Sequence, residues 1–304
     1  MRVATVLAAA AGLAGGLAAG LVLAISAYSA HAVVRPRRDW RPDHWQEPDW
    51  TADVEHVQFE NAYGHRLAGW LVPPQPGQAL AIVCHGFGTN RREGLDLLPW
   101  LREHGYGGLF FDFQAHGESD GRFTTVGFRE ADDVVAAVRY VQERLGDDVP
   151  IVAVGFSMGA SVAILAAARC PAIRAVVADS PFATLQRVLA RSFRAFFRLP
   201  PRFFARPTIW FAERIAGGRV GSVLPLEAVA AIAPRPLLLI QGTEDAIIDP
   251  EDSVLLFEAA GEPKTLWRVA GAGHVQARAR HRDEYFTRVK ACLAQALEAA
   301  ASGQ

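Results

Sequence analysis

Residues 152–161, VAVGFSMGAS, set one serine between two glycines as Gly155-Phe156-Ser157-Met158-Gly159. An apolar run leads into Ser157 and a helix-forming run, MGASVAILAAA, leads out of it. That strand–turn–helix context presents a serine hydroxyl for attack on a carbonyl. Gly155 and Gly159 take side chains away where strand and helix would cross, so the turn can be sharp. The helix start aims backbone N–H groups, that of Met158 among them, at an oxyanion formed beside Ser157. A serine at neutral pH also needs a base, and the base needs an acid to orient it.

Both partners have candidates downstream, in the order serine, acid, histidine. Thr243-Glu244-Asp245 follows the apolar run PLLLIQG, and Ala272-Gly273-His274 follows TLWRVAG. Glu244 and Asp245 are neighbours, and spacing alone does not separate them. Asp249 stands before Pro250 and has the pattern of a helix N-cap, which accounts for it without chemistry. Of nine histidines, only His274 falls in a Gly-flanked loop after a late strand; His281 is expected on the helix that follows. Upstream, Cys84-His85-Gly86-Phe87-Gly88 ends another apolar run, and a turn there offers the Phe87 N–H as a second oxyanion donor. His85 reads as a structural hydrogen-bonding residue.

The elements that must carry these residues alternate regularly. Two alternating runs flank Asn61-Ala62-Tyr63-Gly64, a hairpin pattern. Strands are expected at 79–84, 107–113, 151–156, 173–179, 236–242 and 265–271, with helical periods over 92–103, 128–145, 158–169, 251–260 and 281–299. This alternation predicts an α/β fold, a mostly parallel eight-stranded sheet with helices on both faces. Active sites in such sheets lie at the carboxyl ends of the strands, where the loops above fall.

HGFG, DFQAHGESDG, GFSMG, GTED and GAGH, in that order, resemble the α/β-hydrolase superfamily over about residues 53–298. EHVQFENAYGHRLAGWLVPP and AHGESDG further resemble bacterial membrane-anchored hydrolases of the serine-aminopeptidase-like group. The resemblance implies Ser157 as nucleophile, Asp245 as acid, His274 as base, and Phe87 and Met158 as oxyanion donors. It also implies that Asp112, His116 and Ser119 are structural. No HExxH, P-loop or dinucleotide fingerprint is present, and the three cysteines, Cys84, Cys170 and Cys292, are widely spaced. Catalysis without metal or cofactor is therefore expected.

The amino-terminal segment stands apart. Residues 3–27 are almost wholly Ala, Gly, Leu, Val and Ile, long enough to cross a bilayer as a helix. A single-pass anchor over residues 1–34 is expected, with secretion after cleavage at Ala30-His31-Ala32 as the alternative. Gly12, Gly16 and Gly20 have the spacing of close helix pairs in membranes, though glycine and alanine dominate the whole segment. Arg35, Arg37, Arg38 and Arg41 lean towards a cytoplasmic catalytic domain and leave the orientation open. Residues 35–52, with three prolines and three tryptophans, read as a linker to a domain over 53–304.

Between about residues 181 and 228 the strand–helix rhythm lapses, the place for a small helical cap. Residues 181–215 hold seven arginines and one acid, Glu213. Arg187, Arg191, Arg194 and Arg198 share one helical face, with Leu185, Val188, Leu189, Phe193, Phe196 and Phe197 largely on the other. That basic face is either solvated or laid on anionic lipid headgroups. A net charge of −1 gives no reason to expect nucleic-acid binding. An apolar pocket under the cap suits acyl esters or thioesters, and no acidic cluster there awaits the amino group of a peptide. The expected function is thus an acyl-ester or thioester hydrolase. A serine peptidase with the same triad and an idle membrane-tethered interaction module are the alternatives.

Overall fold

The computed structural model describes residues 2–39, 41 and 54–301. Trp40, Trp45 and Trp50 of the expected linker lie outside the described residues. The hairpin forms as β1 (Glu55–Glu60) and β2 (Arg66–Val72). Alternation follows through β3 (Leu80–Cys84), α2 (Leu98–Glu103), β4 (Gly107–Phe111), α3 (Glu130–Leu145), β5 (Ile151–Phe156), α4 (Met158–Ala167) and β6 (Ile173–Asp179). Past the cap come β7 (Leu237–Gly242), α8 (Pro250–Ala259), β8 (Lys264–Val269), α9 (Ala277–Arg280) and α10 (Arg282–Ala301). His281 sits at the junction of α9 and α10 rather than on the later helix, its N–H donated to the Ala277 carbonyl at 2.9 Å.

The eight strands form one sheet in the order β1-β2-β4-β3-β5-β6-β7-β8, in which only β2 runs against the rest. Every residue of β3, β4, β5 and β7 is buried, as strands covered on both faces require. The edge strands β1 and β8 carry more exposed positions. One apolar cluster joins α3, α4 and α8 to one sheet face; a second joins α2 and α10 to the other.

The cap consists of α5 (Leu185–Ala195), α6 (Pro201–Ala216), a short 3-10 turn and α7 (Pro225–Ala228). Thr184 caps α5 by accepting the Arg187 N–H at 3.3 Å. Leu185, Leu189 and Phe193 are buried as the periodicity predicts, but Phe196 and Phe197 are 61% and 55% exposed. The helix ends at Ala195, and the left-handed backbone of Arg198 turns the chain before Pro200, so the apolar face does not continue. The basic face also divides: Arg187 pairs with Asp252 and Asp249, and Arg191 with Asp249, whereas Arg194 and Arg198 are exposed.

The apolar amino-terminal run forms α1 (Arg2–Val34), a single helix of 33 residues. Leu7, Leu13, Leu17 and Leu21 along it are more than 60% exposed. Ser26, Ala30 and Val34, spaced four residues apart on one face, are buried where α1 packs along α6. The Val34 carbonyl accepts the Thr124 N–H at 2.9 Å. Beyond the helix, Arg38 donates to the carbonyls of Gly117 and Gly121 at 3.2 Å each, and to that of Ser119.

Candidate active site

Ser157 stands between β5 and α4 with φ 52° and ψ −116°, a backbone a non-glycine residue rarely adopts. Its N–H is held by the Asp179 carbonyl at 2.8 Å. The flanking glycines are sterically required. A Cβ on Gly155 would lie 2.3 Å from the Gly159 carbonyl oxygen, and one on Gly159 would lie 2.0 Å from that of Cys84. Strand, turn and helix therefore touch backbone to backbone, and this holds the strained serine in place.

Residues far apart in the chain converge on the hydroxyl. The Ser157 Oγ lies 2.9 Å from His274 Nε2, and His274 Nδ1 lies 2.7 Å from Asp245 Oδ2. Since a carboxylate only accepts, Nδ1 carries the proton and donates to Asp245, leaving Nε2 to accept from the serine. Asp245 is buried, and its Oδ1 accepts the N–H groups of Ile247 and Ile248 at 2.8 and 2.9 Å. Burial alone would raise the Asp245 carboxyl, but the bond to His274 and these two N–H donors outweigh it and hold it below the ordinary value. Glu244 is exposed on the same loop, and of the two neighbouring acids it is Asp245 that reaches His274. Asp249 caps α8, accepting the Glu251 N–H at 3.2 Å.

The loop after β3 passes beside the nucleophile: a Cβ on Gly86 would lie 3.4 Å from that of Ser157. Among the described residues, neither the Phe87 nor the Met158 N–H has a protein acceptor. His85 is buried, with Nδ1 donating to the Gly86 carbonyl at 2.8 Å and Nε2 accepting the Phe113 N–H at 3.1 Å. Burial lowers His85 to about 4, which keeps this neutral ring in place at pH 7. Asp112 pairs with buried Arg91 and accepts the Glu118 N–H at 2.8 Å. Ser119 bridges the Asp112 carbonyl and the Ala68 N–H, at 2.6 and 2.9 Å. His116 is buried against His85. All four brace the loops around the site.

Several supporting residues escaped the reading of motifs. Gln241 Nε2 donates to Asp245 Oδ2 at 3.0 Å, and Arg191 donates to the Asp245 carbonyl at 2.9 Å. Ser180, also at positive φ, accepts the Val275 N–H at 3.1 Å and donates to Asp179 Oδ1 at 3.0 Å, tying down the residue after His274. Burial pushes the Asp179 carboxyl up to about 6, against the opposing pull of Arg278 and the Ser180 hydroxyl. Glu93 accepts the Gly86 N–H and, at 2.7 Å, the Thr89 hydroxyl, fixing the loop that carries Phe87. Asp179 and Ser180 had a usable signal, since they end a strand at the edge where sites form. Glu93 had none, because its role depends on how one loop folds back on itself.

The sequence profile described as Alpha/beta hydrolase family matches residues 81–288. The chain belongs to that family. Among its relatives is the uncharacterized protein YqkD of Bacillus subtilis, 30% identical over 235 residues, 77% of each chain. An uncharacterized protein of Mycobacterium tuberculosis is 32% identical over 222 residues, 72% of this chain and 71% of that one. The structure is similar to that of the Pyrococcus furiosus esterase Pf2001, with a TM-score of 0.71 and 28% identity over 86% of this chain and 98% of the other. Esterase-like neighbours of an α/β hydrolase support hydrolase activity on a small-molecule substrate.

Proposed function

We propose that this hydrolase cleaves acyl esters or thioesters through an acyl-serine intermediate on Ser157. The observation that carries the reading is the unbroken chain from Ser157 Oγ through His274 to Asp245, at 2.9 and 2.7 Å. His274 Nε2 takes the hydroxyl proton as Oγ attacks the acyl carbon, and Asp245 steadies the imidazolium that forms. The N–H groups of Phe87 and Met158 stabilise the oxyanion. Collapse of the tetrahedral adduct passes the proton from His274 to the leaving alcohol or thiol and leaves the acyl group on Ser157. Water, deprotonated by His274, then attacks the acyl carbon, and the departing Ser157 regains its proton. No step calls for a metal or cofactor.

The esterase reading is favoured over peptidase activity by the cap, whose residues 181–215 hold a single acid, and by the likeness to Pf2001. Residues 1–34 serve as an uncleaved single-pass anchor, supported by the packing of Ala30 and Val34, on either side of exposed His31 and Ala32, on the hydrolase domain. Labelling with a fluorophosphonate probe tests the core of this reading. Wild-type protein should label, while Ser157→Ala and His274→Ala should not. Labelling that survives Ser157→Ala, or that is absent from wild type in detergent and in liposomes alike, would overturn it. A matched series of acyl esters and dipeptide amides then separates ester from peptide cleavage.

A further inference from the structure

The cap has an exposed apolar tip, and its height along α1 is fixed. α1 and α6 run side by side in the same direction: the Ser26 hydroxyl donates to the Phe204 carbonyl at 3.5 Å near the start of α6. At the other end, the Val34 carbonyl holds Thr124, and Gly218, just past α6, lies against Thr125. The start of α6 therefore points back along α1, away from the sheet. Three residues before Phe204 brings Pro201 level with about Leu23, at a rise of about 1.5 Å per residue in both helices. A bilayer core of about 30 Å takes about 20 residues of helix. Counted from Val3, where the apolar run begins after Arg2, that reaches Val22. The uncovered part of α1 thus ends at the height where the α5–α6 turn begins.

The composition of that turn suits this height. Phe196, Phe197 and Phe203 are 61%, 55% and 51% exposed, beside exposed Arg194, Arg198, Arg202 and Arg206. Among the described residues these four arginines form no ion pair, unlike Arg187 and Arg191 nearer the sheet. The turn is also well supported: Phe193 is buried, stacks on Phe204 at 5.4 Å and meets Phe197 at 5.8 Å. The Leu199 N–H closes on the Phe193 carbonyl at 2.9 Å, and Pro200-Pro201 carries the chain into α6.

We infer that the α5–α6 turn rests in the interface of the bilayer that α1 spans, with its phenylalanines among the upper acyl chains and its arginines on anionic lipid phosphates. Aromatic and guanidinium groups side by side match the apolar and charged layers of that zone. The candidate active site is then held at the membrane surface. Arg191, bonded to the Asp245 loop, is five residues from Phe196 along the same cap segment, about 8 Å at helical rise. The substrates this favours are acyl esters dissolved in or anchored to the bilayer. The inference rests on α1 as an anchor, and its test separates the two.

Full-length protein would be labelled with an environment-sensitive fluorophore at one introduced cysteine, in a background lacking the three native ones. The sites are Phe197→Cys at the tip, Leu13→Cys in α1 and Glu143→Cys at the far end of α3, each in vesicles of phosphatidylcholine and phosphatidylglycerol. Lipids with a shallow nitroxide should quench the tip several-fold more than residue 143, and lipids with a deep nitroxide should quench residue 13. Quenching at 13 with none at 197 would overturn the inference and leave the anchor standing. Absence of quenching at 13 would overturn both. A Phe196→Asp, Phe197→Asp, Phe203→Asp variant should lose about tenfold or more of its turnover of a bilayer-borne ester while hydrolysing a soluble short-chain ester as wild type does. Equal loss on both substrates would count against the inference, and failure of wild type on the soluble ester would count against esterase activity itself.

Discussion

At Asp245, two backbone N–H groups and Gln241 converge on a carboxylate whose remaining task is to hold His274 Nδ1–H. Asp245→Asn would favour the wrong imidazole tautomer, and kcat for a good ester should fall by up to about 10⁴-fold with KM little changed. Steady-state kinetics on purified protein check this; a loss below tenfold would remove Asp245 from the proposed triad. Asp179 yields a pH prediction of known sign. Its native carboxyl titrates near 6, above the ordinary value of 3.8, so the folded protein binds the proton more tightly than the unfolded chain. Stability attributable to this group therefore falls as pH rises from about 4 to 6, and the full penalty stands above 6. Asp179→Asn keeps an oxygen to accept from the Ser180 hydroxyl. Its Tm relative to wild type should rise across that window and level off above it. A difference identical at pH 4 and pH 7 would show that the buried charge carries no such cost.

At the scale of elements, the turn from β5 into α4 has no spare room. A methyl group on Gly159 would meet backbone at 2.0 Å on the Cys84 carbonyl, and backbone cannot move aside as a flexible side chain can. Gly159→Ala should therefore displace α4 from β3, abolishing fluorophosphonate labelling and lowering Tm by several degrees. Gly64→Ala is the contrasting change: a Cβ there meets nothing within 4 Å, although φ is +72°, so it should weaken the β1–β2 hairpin modestly and leave labelling intact. Labelling and melting of the two variants side by side decide whether the turn geometry or general stability governs the nucleophile. The loop after β3 is a third case. Glu93→Gln replaces a carboxylate that accepts from Gly86 and Thr89, and kcat should fall while Ser157 still labels slowly.

For the whole molecule, α1 is long and apolar enough to cross a membrane and is also a packing partner of the cap. Removal of residues 1–34 would uncover the α6 surface against which Ala30 and Val34 lie and leave the Thr124 N–H without its acceptor. The shortened chain should melt several degrees below the full chain in the same detergent, where loss of the membrane itself plays no part. Equal melting temperatures would mean that α1 packs on the cap without stabilising it. α1, cap and candidate site are linked in series, because α5 meets the Asp245 loop through Arg191 and runs on to the tip beyond Ala195.

The sequence by itself carried the eight strands and their α/β alternation, and it pointed to Ser157, His274 and the loop of Glu244 and Asp245, which the fold brings together. Each of these is written in local pattern: apolar runs of strand length, glycines where backbones cross, and loops that must fall at one edge of a parallel sheet. The choice of Asp245 over Glu244 by geometry needed the folded loop, since adjacent residues differ only in which way they face. The exposure of Phe196 and Phe197 also lay beyond pattern, because helical periodicity assumes a helix that in fact stops at Ala195. Ser180, Glu93 and Gln241 act on residues brought near by folding, and no spacing in the chain encodes that proximity. The packing of α1 along α6 joins segments nearly 180 residues apart, 178 between Ser26 and Phe204, and is decided by which surfaces the finished fold leaves apolar.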